Sequence, residues 1–80
     1  MSSYLHVFTT NVRRVLAERN LSLQDLAQLS GVSTSFLYDI MSGKGNPSLL
    51  RLSMIADALD LPLPYLFQHH NKNKTNEDQD

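Results

Sequence analysis

Two helix-start signals eleven residues apart, with a glycine between them, leave the segment from Leu21 to Met41 little conformational freedom. Ser22 followed by Asp25 has the form of a capping box, in which the serine oxygen takes the amide of residue 25 and the carboxylate takes the amide of the serine. Leu21 and Leu26 stand at the flanking positions of a hydrophobic staple, so a helix starts at Leu23. It is short, because Gly31 supplies the backbone freedom that ends a helix and turns the chain. Ser33 then caps another helix reaching about Met41, with Val32 and Leu37 as a second staple and Gly43 as its stop. Two short helices separated by so tight a turn allow the second to project from the surface while the first braces it.

The flanking segments supply the rest of a helical domain. Leu5, Phe8, Val12, Val15 and Leu16 recur at steps of three, four, three and one, the face of a helix over about 4–19 with Ser3 as its cap. In the second helix Leu26, Ala27 and Leu29 offer the buried side, and in the third Leu37, Ile40 and Met41 face inward. Ser42-Gly43-Lys44-Gly45-Asn46-Pro47 is turn chemistry throughout, and Ser48 caps a fourth helix over about 49–59 with Leu49, Leu52, Ile55, Ala56 and Leu59 as its apolar stripe. Pro62 and Pro64 restrict the next segment to a terminal turn or two at about 63–67. With helices at about 4–19, 23–30, 34–41, 49–59 and 63–67, and no alternating pattern, the expected fold is all-α. Five helices occupy one domain over residues 1–67. The polar run 68–80 has no apolar residue and is expected to be a disordered tail.

Composition narrows the function classes. Eighty residues make a marginal core, which favours self-association. Without cysteine there is no disulfide and no thiolate zinc site, and His6, His69 and His70 are what remains for a metal. No metal or other cofactor is expected. No segment approaches the roughly 18 apolar residues of a membrane span, and no basic start precedes an apolar stretch. A cytoplasmic protein without membrane contact is therefore expected. Nothing resembles a nucleophile with its base, and Gly43-Lys44 lacks the preceding strand of a phosphate loop. Neither an enzyme nor a small-molecule ligand is expected.

The formal charge is -1, whereas nucleic-acid binders usually carry a basic excess. Residues 1–70 balance five basic (Arg13, Arg14, Arg19, Lys44, Arg51) against five acidic residues (Glu18, Asp25, Asp39, Asp57, Asp60), so the excess acid sits in the tail. A neutral domain still binds DNA if its cations face the duplex, with modest nonspecific attraction.

The order of signals from Leu21 to Phe67 resembles the lambda-repressor-like, or Cro/CI (Xre), family of DNA-binding domains. Leu26-Ala27 in a capped helix, Gly31-Val32-Ser33 at the turn, an S-x-x-I-like helix, Gly43-Lys44-x-Asn46-Pro47 and a last amphipathic helix all follow in sequence. The similarity covers about residues 5–67. It implies that residues 33–41 form a recognition helix whose first half enters the major groove, where all four base pairs are distinguishable. Base contacts then fall to Thr34, Ser35, Tyr38 and Asp39. Tyr38 reaches a base edge or a phosphate, and Asp39 either accepts from cytosine N4 or faces solvent. Phosphate contacts, which position without reading sequence, map to Ser22, Gln24, Ser33, Lys44 and Asn46. Arg13, Arg14 and Arg51 rank below these, with ordinary solvated surface as the other reading.

Two positions depart from the family. Many members pair a glutamate at the position of Met41 with an arginine at that of Leu16, and replacing both ends leaves no uncompensated charge. Leu16 is therefore expected to pack against Met41. Leu23 stands where a glutamine is common, so one polar contact is missing. Phe36 covers the core edge or stands beside the sugar-phosphate backbone. Leu61, Leu63, Tyr65 and Phe67, around Leu66, exceed what a short terminal helix needs to bury, and are assigned to a two-fold interface. The expected function is a dimeric repressor or autoregulator on an inverted-repeat operator of double-stranded DNA. The other reading is a protein-interaction module, such as an antitoxin or antirepressor, that uses the fold as a scaffold.

Overall fold

The computed structural model describes residues 3–69, and the chain over that span forms α1 (Ser3–Arg19), α2 (Leu23–Ser30), α3 (Thr34–Met41), α4 (Leu49–Ala58) and a 3₁₀ helix (Leu63–Phe67). No strand occurs among the described residues, as an all-α fold requires. Beyond His69 the expected tail, with His70, lies outside them. Ser3 is the first helical residue of α1 rather than the cap before it. Among the described residues, no helix is long and apolar enough to cross a membrane.

The stripe of α1 behaves as its spacing dictates. Leu5, Phe8, Val12, Val15 and Leu16 are all buried, and meet Leu26, Val32, Leu37, Ile40, Leu52, Ile55, Ala56, Leu59 and Leu66 in one core. α2 packs on α3 and α4, and the 3₁₀ helix packs on α1 and α4. In the last case the Phe67 ring lies 5.3 Å from Phe8 and 6.2 Å from Tyr4, tilted in both pairs, as aromatic quadrupoles favour.

Two leucines expected inside are outside. Leu29 is 58% exposed, because the inward row of α2 is Leu23, Leu26, Ala27 and Ser30, an i, i+3, i+4, i+7 set from which Leu29 is rotated away. Leu49 is 68% exposed although it shares the row of Leu52, Ile55, Ala56 and Leu59. As the first residue of α4, it projects past the edge of the core. Leu50 beside it is also exposed.

The helix ends carry the remaining local chemistry. After α1, Asn20 (φ 59°) is left-handed; its amide donates to Ala17 at 3.3 Å, and that of Leu21 donates to Leu16 at 2.9 Å. After α4, Asp60 (φ 58°) repeats the pattern, with its own amide on Asp57 at 3.0 Å and that of Leu61 on Ala56 at 3.0 Å. Both are Schellman motifs built without glycine. Arg19 adds a guanidinium bond to the Leu59 carbonyl at 2.6 Å, a cation at the negative end of α4. Asn11, 3% exposed, donates from Nδ2 to the carbonyls of Leu66 (2.8 Å) and Gln68 (2.7 Å), and accepts from Arg14 at 3.2 Å. One buried amide thus fastens the 3₁₀ helix to α1.

Candidate nucleic-acid interface

α2 starts on the capping box read from sequence. The Asp25 amide donates to Ser22 Oγ at 3.0 Å, and the Ser22 amide donates to Asp25 Oδ2 at 2.9 Å. It ends at Gly31 (φ 79°), whose amide donates to the Ala27 carbonyl at 3.0 Å. A Cβ there would meet nothing nearer than Met54 Cε at 3.8 Å, so backbone conformation and not crowding selects glycine. The turn closes with the Val32 amide on Ser30 Oγ (3.2 Å) and with Val32 itself buried. α3 then starts on Ser33, whose Oγ accepts from the Phe36 amide at 3.1 Å, and Ser48 does the same for the Arg51 amide at 3.2 Å. In each cap the hydroxyl uses a lone pair, which leaves its proton free to donate to an anion.

α3 has two distinct sides. Leu37 and Ile40 are buried, with Phe36 and Met41 half-buried beside them. Ser35, Tyr38 and Asp39 are exposed, and at about 100° per residue they share one quadrant of the helix. Thr34 is half-buried and borders a shallow depression with Gln24, Gln28 and Ser33. The starts of α2 and α3 therefore bring Gln24, Ser33 and Thr34 together. Ser22 and Gln24 are exposed.

A loop with two left-handed glycines, Gly43 (φ 84°) and Gly45 (φ 83°), follows α3. Its root is held by the Asp39 carbonyl, which accepts from the Lys44 amide at 2.8 Å and from Ser42 Oγ at 2.9 Å. Lys44 and Asn46 are exposed. Among the described residues neither the Lys44 ammonium nor the Asp39 carboxylate has a hydrogen-bonding or ionic partner.

The arginines are engaged within the fold. Arg13 Nη2 donates to the Met41 carbonyl at 3.1 Å, and Arg14 pairs with Glu18 at 3.4 Å. Arg51 lies over the Phe36 ring at 5.2 Å, a cation–π contact that bridges α4 and α3. Phe36 thus covers the core edge and carries this guanidinium. Ser35, Asp39, Ser48 and Arg51 border one depression, a grouping that spacing alone did not reveal. Leu16 and Met41 border a second, more apolar one with Leu23 and Tyr38. Leu61, Leu63, Tyr65 and Phe67 are half-buried against the core, each keeping some surface in solvent.

A capped helix, a glycine turn, and a second capped helix whose apolar side is buried and whose polar side is bare define a helix-turn-helix DNA-binding domain. Residues 12–66 match the HTH_3 helix-turn-helix family model, and the chain belongs to that family of transcriptional regulators. Among solved structures, the restriction-modification controller protein C.AhdI from Aeromonas hydrophila is 31% identical, with a TM-score of 0.73 over 81% of this chain and 98% of that one. An HTH_3 family transcriptional regulator from Vibrio cholerae is 30% identical, with a TM-score of 0.73 over 80% of this chain but only 36% of that longer protein. The controller protein C.Esp1396I has a TM-score of 0.75 over 84% of this chain and 87% of its own, and at 19% identity it supports the fold alone. No curated protein sequence matches the chain.

Proposed function

We propose that this regulator is a homodimeric repressor or autoregulator that binds an inverted-repeat operator, with one α3 in each of two major-groove segments about 34 Å apart. The observation that carries this reading is the bare quadrant of α3, Ser35, Tyr38 and Asp39, on a helix whose opposite side is buried. Thr34, Ser35, Tyr38 and Asp39 face the bases. Ser22, Gln24, Ser33, Lys44 and Asn46 hold phosphates, the serines through their hydroxyl protons and Lys44 through its exposed ammonium. Leu61, Leu63, Tyr65 and Phe67 form the two-fold interface with their remaining exposed surface. Similarity to nearly the whole of the restriction-modification controller C.AhdI supports this reading.

Selection of bound sites from random DNA at near-physiological salt tests the reading, with a Thr34→Ala/Ser35→Ala double variant as control. A palindromic site lost in the double variant is expected. The neutral charge and the exposed Asp39 motivate the competing interaction-module reading, and salt separates the two. Each phosphate contact contributes a log-log slope of about -0.9, so an affinity indifferent to salt rejects DNA binding and directs the search to a protein partner.

A further inference from the structure

The last four carbonyls of a helix have no partner within it and must find one elsewhere. In α3, Tyr38 receives the Ser42 amide at 3.1 Å, Asp39 the Lys44 amide at 2.8 Å, and Ile40 the Gly43 amide at 3.1 Å. All three donors belong to the loop that follows. The fourth carbonyl, Met41, is reached among the described residues by Arg13 alone, at 3.1 Å, and the same guanidinium lies 3.9 Å from the Met41 sulfur. α3 has no basic residue in its own last turn, so Arg13 is also the cation at its negative end. Because α3 packs chiefly on α2, this bond is a polar tie from α1 to the helix that meets DNA.

We propose that Arg13 is a positioning residue for the recognition helix, fixing the pitch of its C-terminal turn, and not a phosphate contact. Through that turn it sets Tyr38, which borders the same depression as Arg13 and Met41 and stands on the bare quadrant. The consequence for operator affinity rests on the DNA-binding reading above; the consequence for the free protein does not.

Arg13 is exposed, so Arg13→Ala should fold, which its thermal unfolding verifies. Two measurements then decide. Amide exchange of the DNA-free protein should quicken at Ser42, Gly43 and Lys44, whose amides cap α3, and stay unchanged in α1 and α4. Operator affinity should fall about three- to tenfold, the scale of losing a charge-assisted bond at a helix end, with the salt slope of the parent retained. Lys44→Ala serves as the contrast, with a slope shallower by about 0.9. A slope reduced by that amount in Arg13→Ala makes Arg13 a phosphate contact and overturns the proposal. Unchanged exchange overturns it too, as does faster exchange with unaltered affinity. If the parent protein selects no DNA, the functional reading fails, while the exchange measurement still judges the tie between Arg13 and α3.

Discussion

The side-chain amide of Asn11 donates to the Leu66 carbonyl at 2.8 Å, across 55 positions of sequence. With Gln68 as second acceptor and Arg14 as donor to its oxygen, this buried amide has partners on both its nitrogen and its oxygen. Asn11→Leu keeps the volume but strands two carbonyls, each a desolvation cost of about 1–3 kcal/mol when buried. A lower urea midpoint is expected. If the 3₁₀ helix carries the dimer interface, sedimentation should also show weaker association. An unchanged midpoint means that water replaces the amide without loss.

Asn20 and Asp60 hold left-handed conformations that cost an ordinary residue roughly 1–2 kcal/mol, less for these two types. Asn20→Gly and Asp60→Gly should therefore stabilise, by about 0.5 kcal/mol each once the freer unfolded chain is counted. The larger gain is expected at Asp60, whose carboxylate stands at the negative end of α4. Thermal denaturation of both variants at one protein concentration checks the order.

Gly31→Ala has space for its methyl group but not the right φ, and should destabilise by about 1 kcal/mol. The loss should fall on the α2–α3 turn. Operator affinity is expected to drop more than global stability, and comparing denaturation with DNA titration measures the difference.

Asp39 has a carboxylate on the bare quadrant that is without a partner among the described residues. Replacing it with asparagine should alter the preferred base at one position per half-site, with a discrimination change of about 1–3 kcal/mol in site selection. A uniform affinity gain over all sites would show instead that the carboxylate only repels phosphates.

Legibility followed the range of each interaction. The serine caps at 22, 33 and 48 and the turn at Gly31 were readable, because cap and amide lie within a few residues of each other. Periodicity identifies the row of α1 and most of that of α4, but not that Leu49 lies past the edge of the core. In α2 it finds Leu26 and Ala27 and misses that Leu23 and Ser30, not Leu29, complete the inward row. Asn11 and Arg13 carried no local signal, because their partners are main-chain carbonyls that exist as neighbours only in the folded chain. The grouping of Arg51 with Ser35 and Asp39 needed the α3–α4 arrangement for the same reason.

The fastening of the 3₁₀ helix to α1 also orders events during synthesis. All four α-helices are already translated before Leu66 exists, and the α2–α3 and α2–α4 contacts do not involve it. The helix-turn-helix and its contact with α4 can thus form while Phe8 and Asn11 still lack their last neighbours. α1 and α4 both complete their packing only when the 3₁₀ helix is added, so the last residues of the domain close over the first helix made.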